Sequence, residues 1–250
     1  MTSLRVGDEV VALLEGGGYA ERVVARASQV LPAPHGVDLV DAAALPEAVC
    51  TAWSNLVDTA RLQRDEWVLV HGGSGGVGTV AIQLATALGA RVVATAGGPE
   101  RVRRCLELGA VAGVDHRDED LVERVRTATN GHGADVVLDV VGAKYLPDNV
   151  RALAQRGRLV VIGLQKGRRG ELDLGTLMAK HAWVTGTLLR PRPAAEKAAL
   201  VEAVREHVWP MVADGRVRPV VHDRLPLADA QAAHELLESG TVFGKLLLTP

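Results

Sequence analysis

The residues of this chain best placed to do chemistry are Gly73-Ser74-Gly75-Gly76-Val77-Gly78, which have the spacing G-x-G-x-x-G after an apolar run and before a helical one. Glycines here let the backbone turn sharply and come close to a pyrophosphate. The helix that follows turns unpaired N–H groups and the positive end of its dipole towards the same place. The segment predicts a dinucleotide site, with Ser74, Gly75, Gly76, Val77 and Gly78 against the phosphates. A merely structural tight turn would use the same glycines. A third reading also stays open: Gly72-Gly73-Ser74-Gly75-Gly76 spells G-x-S-x-G and His71-Gly72-Gly73 mimics an oxyanion loop, so an α/β-hydrolase with Ser74 as nucleophile is a minor alternative. Against it, the motif ends the first strand of its region, and the best downstream histidine is His222, followed by Asp223.

The kind of dinucleotide is written about 20 residues further on, where NAD-binding chains carry an acidic residue for the ribose 2′-hydroxyl. Here the strand ends Thr95-Ala96-Gly97-Gly98, with no carboxylate to repel a 2′-phosphate, and Arg101, with Arg103 and Arg104 nearby, offers positive charge. NADPH is favoured over NADH, although arginines on an exposed helix also serve simply to solvate it. Further contacts are expected from loops at the carboxyl ends of later strands, Val141-Gly142 and Gly163-Leu164, whose glycines equally suit strand stops.

The elements that must position these residues alternate. A strand at Trp67–His71 leads through the loop at 72–78 into a helix at Val80–Leu88. Strand Arg91–Ala96, helix Pro99–Leu108, a strand near Val111–Asp115 and helix Asp118–Thr129 follow, then strands Ala134–Val141, Arg158–Gly163 and Ala182–Leu188. That rhythm predicts an α/β fold, a doubly wound parallel (Rossmann) sheet. Before it, residues 4–30 read as turn-separated antiparallel strands at Val6, Val10-Val11 and Val23-Val24, and Asp41–Leu62 as one or two helices broken near Pro46. After it come a long helix over 194–214, a helix from Leu227 to Leu237 and a last strand, Gly244–Leu248, a tail expected to return towards the N-terminal β segment.

Composition narrows the classes. Lys+Arg number 28 against Asp+Glu 30, so no charge excess points to nucleic acid or an anionic membrane, and 48% hydrophobic with 23% charged residues is globular. No apolar run approaches the roughly 18 residues that span a bilayer. Two distant cysteines, Cys50 and Cys105, make neither a disulfide framework nor a zinc lobe, and no H-E-x-x-H is present, so no metal is expected and the setting is read as soluble and cytoplasmic.

With these residues in place, the chain resembles the zinc-independent quinone oxidoreductases, the zeta-crystallin-like branch of the medium-chain dehydrogenase/reductase superfamily. The likeness is carried from end to end by Val6-Gly-Asp-Glu-Val10, Gly17-Gly-Tyr-Ala-Glu21, Ala42-Ala-Ala-Leu-Pro46, Thr51-Ala-Trp53, Val70-His-Gly-Gly-Ser-Gly-Gly-Val-Gly78, Ala94-Thr-Ala-Gly97 and Gly244-Lys-Leu-Leu-Leu248. The resemblance implies hydride transfer from NADPH to a quinone or an enone, and a homodimer paired through cofactor domains. It implies an incomplete GroES-like β domain formed by residues 1–47 and 191–250, around a dinucleotide-binding domain at 48–190. It brings Thr51 to the phosphate or nicotinamide-ribose side of the cofactor and Phe243-Gly244-Lys245 over the nicotinamide half. Arg101 stands where relatives commonly carry a lysine for the 2′-phosphate, and His116 where several carry a tyrosine at the adenosine end. Complete relatives hold about 70 further N-terminal residues, among them most polar groups beside the nicotinamide, so the catalytic residues are unknown. A truncated NADPH-binding protein without turnover, or a start assigned too late, are the competing expectations.

Overall fold

Apolar runs without alternation, such as Trp67-Val-Leu-Val70, suit strands covered on both faces, and they build a parallel sheet here. The computed structural model describes residues 4–250; Met1–Ser3, with which the expected 1–47 segment begins, lie outside the described residues. In chain order the elements are β1 (Val10–Ala12), β2 (Val30–Pro32), α1 (Leu39–Ala42), α2 (Leu45–Trp53), β3 (Trp67–Val70), α3 (Gly76–Ala87), β4 (Arg91–Ala96), α4 (Pro99–Glu107) and β5 (Ala112–Asp115). There follow α5 (Leu121–Ala128), β6 (Ala134–Asp139), α6 (Leu146–Ala152), β7 (Leu153–Val161), α7 (Leu174–Ala179) and β8 (Trp183–Gly186). The tail holds α8 (Ala194–His207), α9 (Trp209–Ala213), β9 (Val221–Pro226), α10 (Ala230–Glu238) and β10 (Lys245–Thr249). These divide into two units, the first made of Met1–Ala52, Gly75–Val80 and Leu189–Pro250, the second of Trp53–Ser74 and Ala81–Leu188.

The second unit carries a six-stranded sheet in the order β5-β4-β3-β6-β7-β8, every pair parallel. This is the doubly wound Rossmann arrangement expected from the sequence. Strand order runs outwards from β3 in both directions, so the chain leaves β3 and β6 towards opposite sides and opens a crevice at their carboxyl ends. Leu69, Val93, Val114, Val137 and Leu159 from the sheet pack with Leu121, Val125 and Val150 of α5 and α6 in one core. Each such side chain contributes about 1.5–3 kcal/mol when fully buried. Capping sets the helix starts: the Asp120 carboxylate accepts from the Glu123 N–H at 2.9 Å, and Pro99 occupies the first turn of α4.

Two helices depart from the sequence expectation. α6 and α7 separate strands that the sequence pattern presents as consecutive, because with 7 and 6 residues they are too short to show periodicity. Parallel neighbours require such crossovers. β7 also begins earlier than expected, at Leu153, passing through Arg156 at φ 61°.

In the first unit β1 and β2 pair antiparallel, Val11 opposite Leu31. The strands expected at Val6 and Val23-Val24 do not form; these side chains are exposed, with no partner strand among the described residues. α1 and α2 part at Ala43-Ala44, and Pro46 sits inside the first turn of α2, where its missing N–H loses nothing. The helix expected over 194–214 is two, α8 and α9, with Pro210 at the start of the second. The tail is stitched to the chain's beginning: Trp209 Nε1 donates to Pro32 O at 2.8 Å, and Arg224 pairs with both Asp38 and Asp41. β10 lies parallel to β9.

Candidate functional site

In the second unit the turn after β3 is held from behind by β4. Gly72 N–H donates to Thr95 Oγ1 at 3.2 Å and Gly73 N–H to Thr95 O at 2.8 Å. Gly73 has to be glycine for packing: a methyl group there would lie 3.0 Å from Ala94 Cβ and Cys105 Sγ and 3.1 Å from Ile82 Cδ1. Beneath the turn His71 is buried, its Nδ1 3.2 Å from Thr95 Oγ1 and its Nε2 2.7 Å from Asn149 Oδ1. Burial pushes its pKa down to about 4, against the pull of the Asn149 hydrogen bond. The ring is therefore a neutral brace. Ser74, partly exposed, makes no hydrogen bond to a histidine among the described residues, as a nucleophile elbow would require.

At the end of β4, Gly97 and Gly98 follow without any carboxylate of their own. Gly98 has φ 92°, caps α4, and gives its N–H to Asp115 Oδ1 at 2.9 Å. That same oxygen accepts from Arg117 N–H at 3.1 Å, and the two backbone bonds, Gly98's first, hold the Asp115 pKa down. Arg101 lies partly buried on the first turn of α4, while Arg103 is spent on Glu100 and Glu107. His116 and Arg117 are exposed at the end of β5, against the two glycines.

Val141-Gly142 and Gly163-Leu164 meet in one double loop. Val141 and Gly142 N–H donate to the buried Asp139 carboxylate at 2.7 Å and 3.1 Å, Lys166 N–H to Val141 O at 2.8 Å, and Ala143 N–H to Gly167 O at 2.9 Å. Burial raises the Asp139 pKa, offset in part by the Val141 and Gly142 bonds. A methyl group on Gly142 would stand 2.6 Å from Gly167 O, and one on Gly163 2.7 Å from Val140 O. Both glycines thus let two backbones touch, and Leu164 is left exposed at the rim.

In the first unit helix α3 starts at Gly76, not Val80, so Gly76, Val77 and Gly78 form its first turn, where N–H groups lack intrahelical partners. Gly75 forms a parallel bridge with Gly244, whose φ is 92°. The stem of Lys245 crosses this turn: a methyl group on Gly76 would lie 2.5 Å from its Cδ and Cε. Lys245 Nζ pairs with Glu47 Oε2 at 3.0 Å, and Thr51 Oγ1 donates to Glu47 Oε1 at 3.0 Å. Phe243 is buried, its N–H towards His222 Nδ1 at 3.5 Å. Glu47 is the residue that sequence reasoning missed. Its i,i+4 spacing to Thr51 was the only available signal, since Lys245 is distant along the chain.

The chain is similar to known proteins over nearly its whole length. Residues 76–205 match the family described as "Zinc-binding dehydrogenase". The quinone oxidoreductase of Rattus norvegicus is 32% identical, the match covering 97% of this chain and 75% of that protein. Quinone oxidoreductase 1 of Escherichia coli is 34% identical over 99% of this chain and 76% of its own length. A mycobacterial structure solved with NADPH superposes with a TM-score of 0.87 at 32% identity, covering 100% of this chain and 76% of that one.

Proposed function

Since the chain belongs to the quinone oxidoreductases of the medium-chain dehydrogenase/reductase superfamily, we propose that it binds NADPH and directs hydride to a quinone or an activated alkene such as an enone. The observation that carries this reading is the glycine loop: it ends the central strand β3 where strand order reverses, and α3 begins within it, leaving backbone N–H groups for a pyrophosphate. Relatives support the cofactor, since structures of this family were solved with NADPH.

Residues of the second unit proposed to touch the cofactor are Ser74, Gly97, Gly98, Arg101, His116, Val141, Gly142, Gly163 and Leu164. Those of the first are Thr51, Gly75 to Gly78, Phe243, Gly244 and Lys245. When bound, NADPH supplies the hydride from its nicotinamide C4. The chain's own work is to hold, orient and exclude water. Thr51, whose hydroxyl donates to Glu47, is proposed to face the phosphate or nicotinamide-ribose side of the cofactor. Lys245, paired with Glu47, belongs with Phe243 and Gly244 to the segment proposed to close over the nicotinamide half. No residue is assigned a catalytic role.

The residues present do not fit zinc, despite the family's description. Among the described residues no three His, Cys, Asp or Glu side chains group as metal ligands, and burial pushes both thiols up to about 12, away from the thiolate a metal needs. Two free, buried cysteines suit a reducing, cytoplasmic setting. Among the described residues no helix is long and apolar enough to cross a membrane. A second copy is proposed to pair at the outer edge of β8, where Trp183 is exposed; Leu174 and Met178 of α7 and Leu188 after β8 are exposed as well.

The test is a titration with NADPH and NADH followed by tryptophan fluorescence, then addition of 1,2-naphthoquinone while reduced-nicotinamide absorbance is recorded. NADPH-preferring binding with oxidation is expected. Binding without oxidation would identify a cofactor-binding protein that does not turn over, and no binding would overturn the reading.

A further inference from the structure

The loop that ends β4 determines what kind of ribose the site accepts, because it stands about 20 residues beyond the glycine loop, where the adenosine ribose is read. Arg101 is the basic residue that sequence spacing brings to mind. We propose that Arg117, with His116 beside it, is instead the principal receptor of the cofactor's 2′-phosphate and sets the preference for NADPH over NADH. This rests on the cofactor reading above and adds a specificity-determining residue to it.

Several observations within the second unit point to Arg117. A methyl group on Gly97 would lie 3.1 Å from Arg117 Nε and 3.1 Å from His116 Nε2, and one on Gly98 would lie 3.3 Å from an Arg117 terminal nitrogen. At Gly98, no residue apart from the chain neighbours comes nearer than Arg117. The two missing side chains thus make room for a guanidinium and an imidazole beside the ribose position. The placement is anchored: Asp115 Oδ1 accepts from both Gly98 N–H and Arg117 N–H, tying the end of β4 to the turn that carries Arg117. The guanidinium itself makes no ion pair among the described residues, whereas Arg103 is committed to Glu100 and Glu107 and Arg124 to Glu119. An exposed, anchored and uncommitted guanidinium with an imidazole at its side matches a phosphate monoester, which takes a planar donor fork bidentately. Of the nearby carboxylates, Asp115 stays ionised and attracts Arg117 and His116 without an ion pair to the guanidinium, its Oδ1 held by two N–H groups, while Glu119 is paired with Arg124 and bonded to Asp115 N–H.

Arg117 lay outside sequence reasoning because it belongs to the end of the next strand. Only the parallel pairing of β4 with β5, Ala96 opposite Asp115, brings it to Gly97.

The experiment compares Arg117→Ala, Arg117→Lys and Arg101→Ala with the unaltered chain. It measures Kd for NADPH and NADH by fluorescence, and displacement by 2′,5′-ADP and by 5′-AMP. Arg117→Ala is expected to weaken NADPH and 2′,5′-ADP roughly tenfold or more, as the loss of hydrogen bonds to a charged partner implies. NADH and 5′-AMP should stay within about twofold of the unaltered chain, since they lack the group that Arg117 receives. Retained NADH binding also reports an intact fold. Arg117→Lys should recover part of the loss, keeping the charge without the fork. The proposal is overturned if Arg117→Ala leaves NADPH unaffected, if it weakens NADPH and NADH alike, or if Arg101→Ala alone removes the preference. An unaltered chain that binds both dinucleotides without preference would sink this inference alone; one that binds neither would remove the cofactor reading as well.

Discussion

His71 shows how one buried side chain can hold a loop of glycines. With the Asn149 carbonyl oxygen against Nε2, that nitrogen must carry the proton, so Nδ1 accepts from Thr95 Oγ1–H, and the Thr95 oxygen in turn accepts from Gly72 N–H. A protonated ring can no longer accept at Nδ1, so the Thr95 hydroxyl proton would lose its acceptor. The folded pKa is about 4 against an ordinary 6.5, so between those values the unfolded chain binds a proton that the folded chain does not. Stability from this group is present above the ordinary value and is lost as pH falls towards the folded one, by on the order of 3 kcal/mol in full. Urea midpoints taken between about pH 7.5 and about pH 5 should fall, and His71→Gln should flatten that fall. A parallel slope in the variant would show that other groups cause it. The glycines divide by function in the same way. Gly73→Ala overpacks the contact with Ala94, Cys105 and Ile82 and should cost about 1–3 kcal/mol, read as a lower melting temperature. Gly76→Ala meets only the flexible stem of Lys245, so melting should change little while NADPH affinity drops; a melting change as large as that of Gly73→Ala would contradict this.

At the scale of elements, the sheet is closed by an arginine as well as by apolar packing. Arg158 on β7 donates from Nε to Ala60 O at 2.9 Å, at the end of the π-helix Ser54–Thr59, and forks onto Glu66, which precedes β3, at 2.9 Å and 2.7 Å. A further bond reaches Asp135 O on β6 at 3.1 Å. The pair is only 14% and 22% exposed, so removing one partner strands the other in a half-buried site. Arg158→Ala should cost about 2 kcal/mol or more, discounted from a fully buried pair for this exposure. A double-mutant cycle with Glu66→Gln is the check, and additive losses would refute the coupling. The short helices α6 and α7 matter here as well, since without them β6, β7 and β8 could not run parallel.

At the scale of the whole molecule, the chain carries a net charge of −2 and spans about three quarters of the length of the quinone oxidoreductases it matches. β8 is the last strand in the sheet's order, and Trp183 on it is more than half exposed, as are Leu174 and Met178 on α7 and Leu188 after β8. An unpaired edge flanked by apolar side chains invites a second copy. Light scattering on a sizing column should give twice the 26.4 kDa of one chain, and Trp183→Glu should shift it towards one. A monomer in the unaltered protein would remove the proposed pairing.

What the sequence determined by itself was whatever is local. Glycine spacing marked the loop, an unbroken apolar run marked β3 and shorter ones β4 and β6, and the missing carboxylate after Thr95-Ala96 pointed to a 2′-phosphate. These are legible because backbone conformation and strand burial depend on residues close together in the chain. Short elements stayed hidden, since 6 or 7 residues do not complete two helical turns and tertiary packing supplies their stability. The tertiary structure alone decided which side chains meet. Glu47 reaches Lys245 because the tail returns to α2, and Arg117 reaches Gly97 because β5 lies parallel to β4. Such contacts join residues from 20 to nearly 200 positions apart, and their geometry depends on the register and packing of elements that no local pattern encodes.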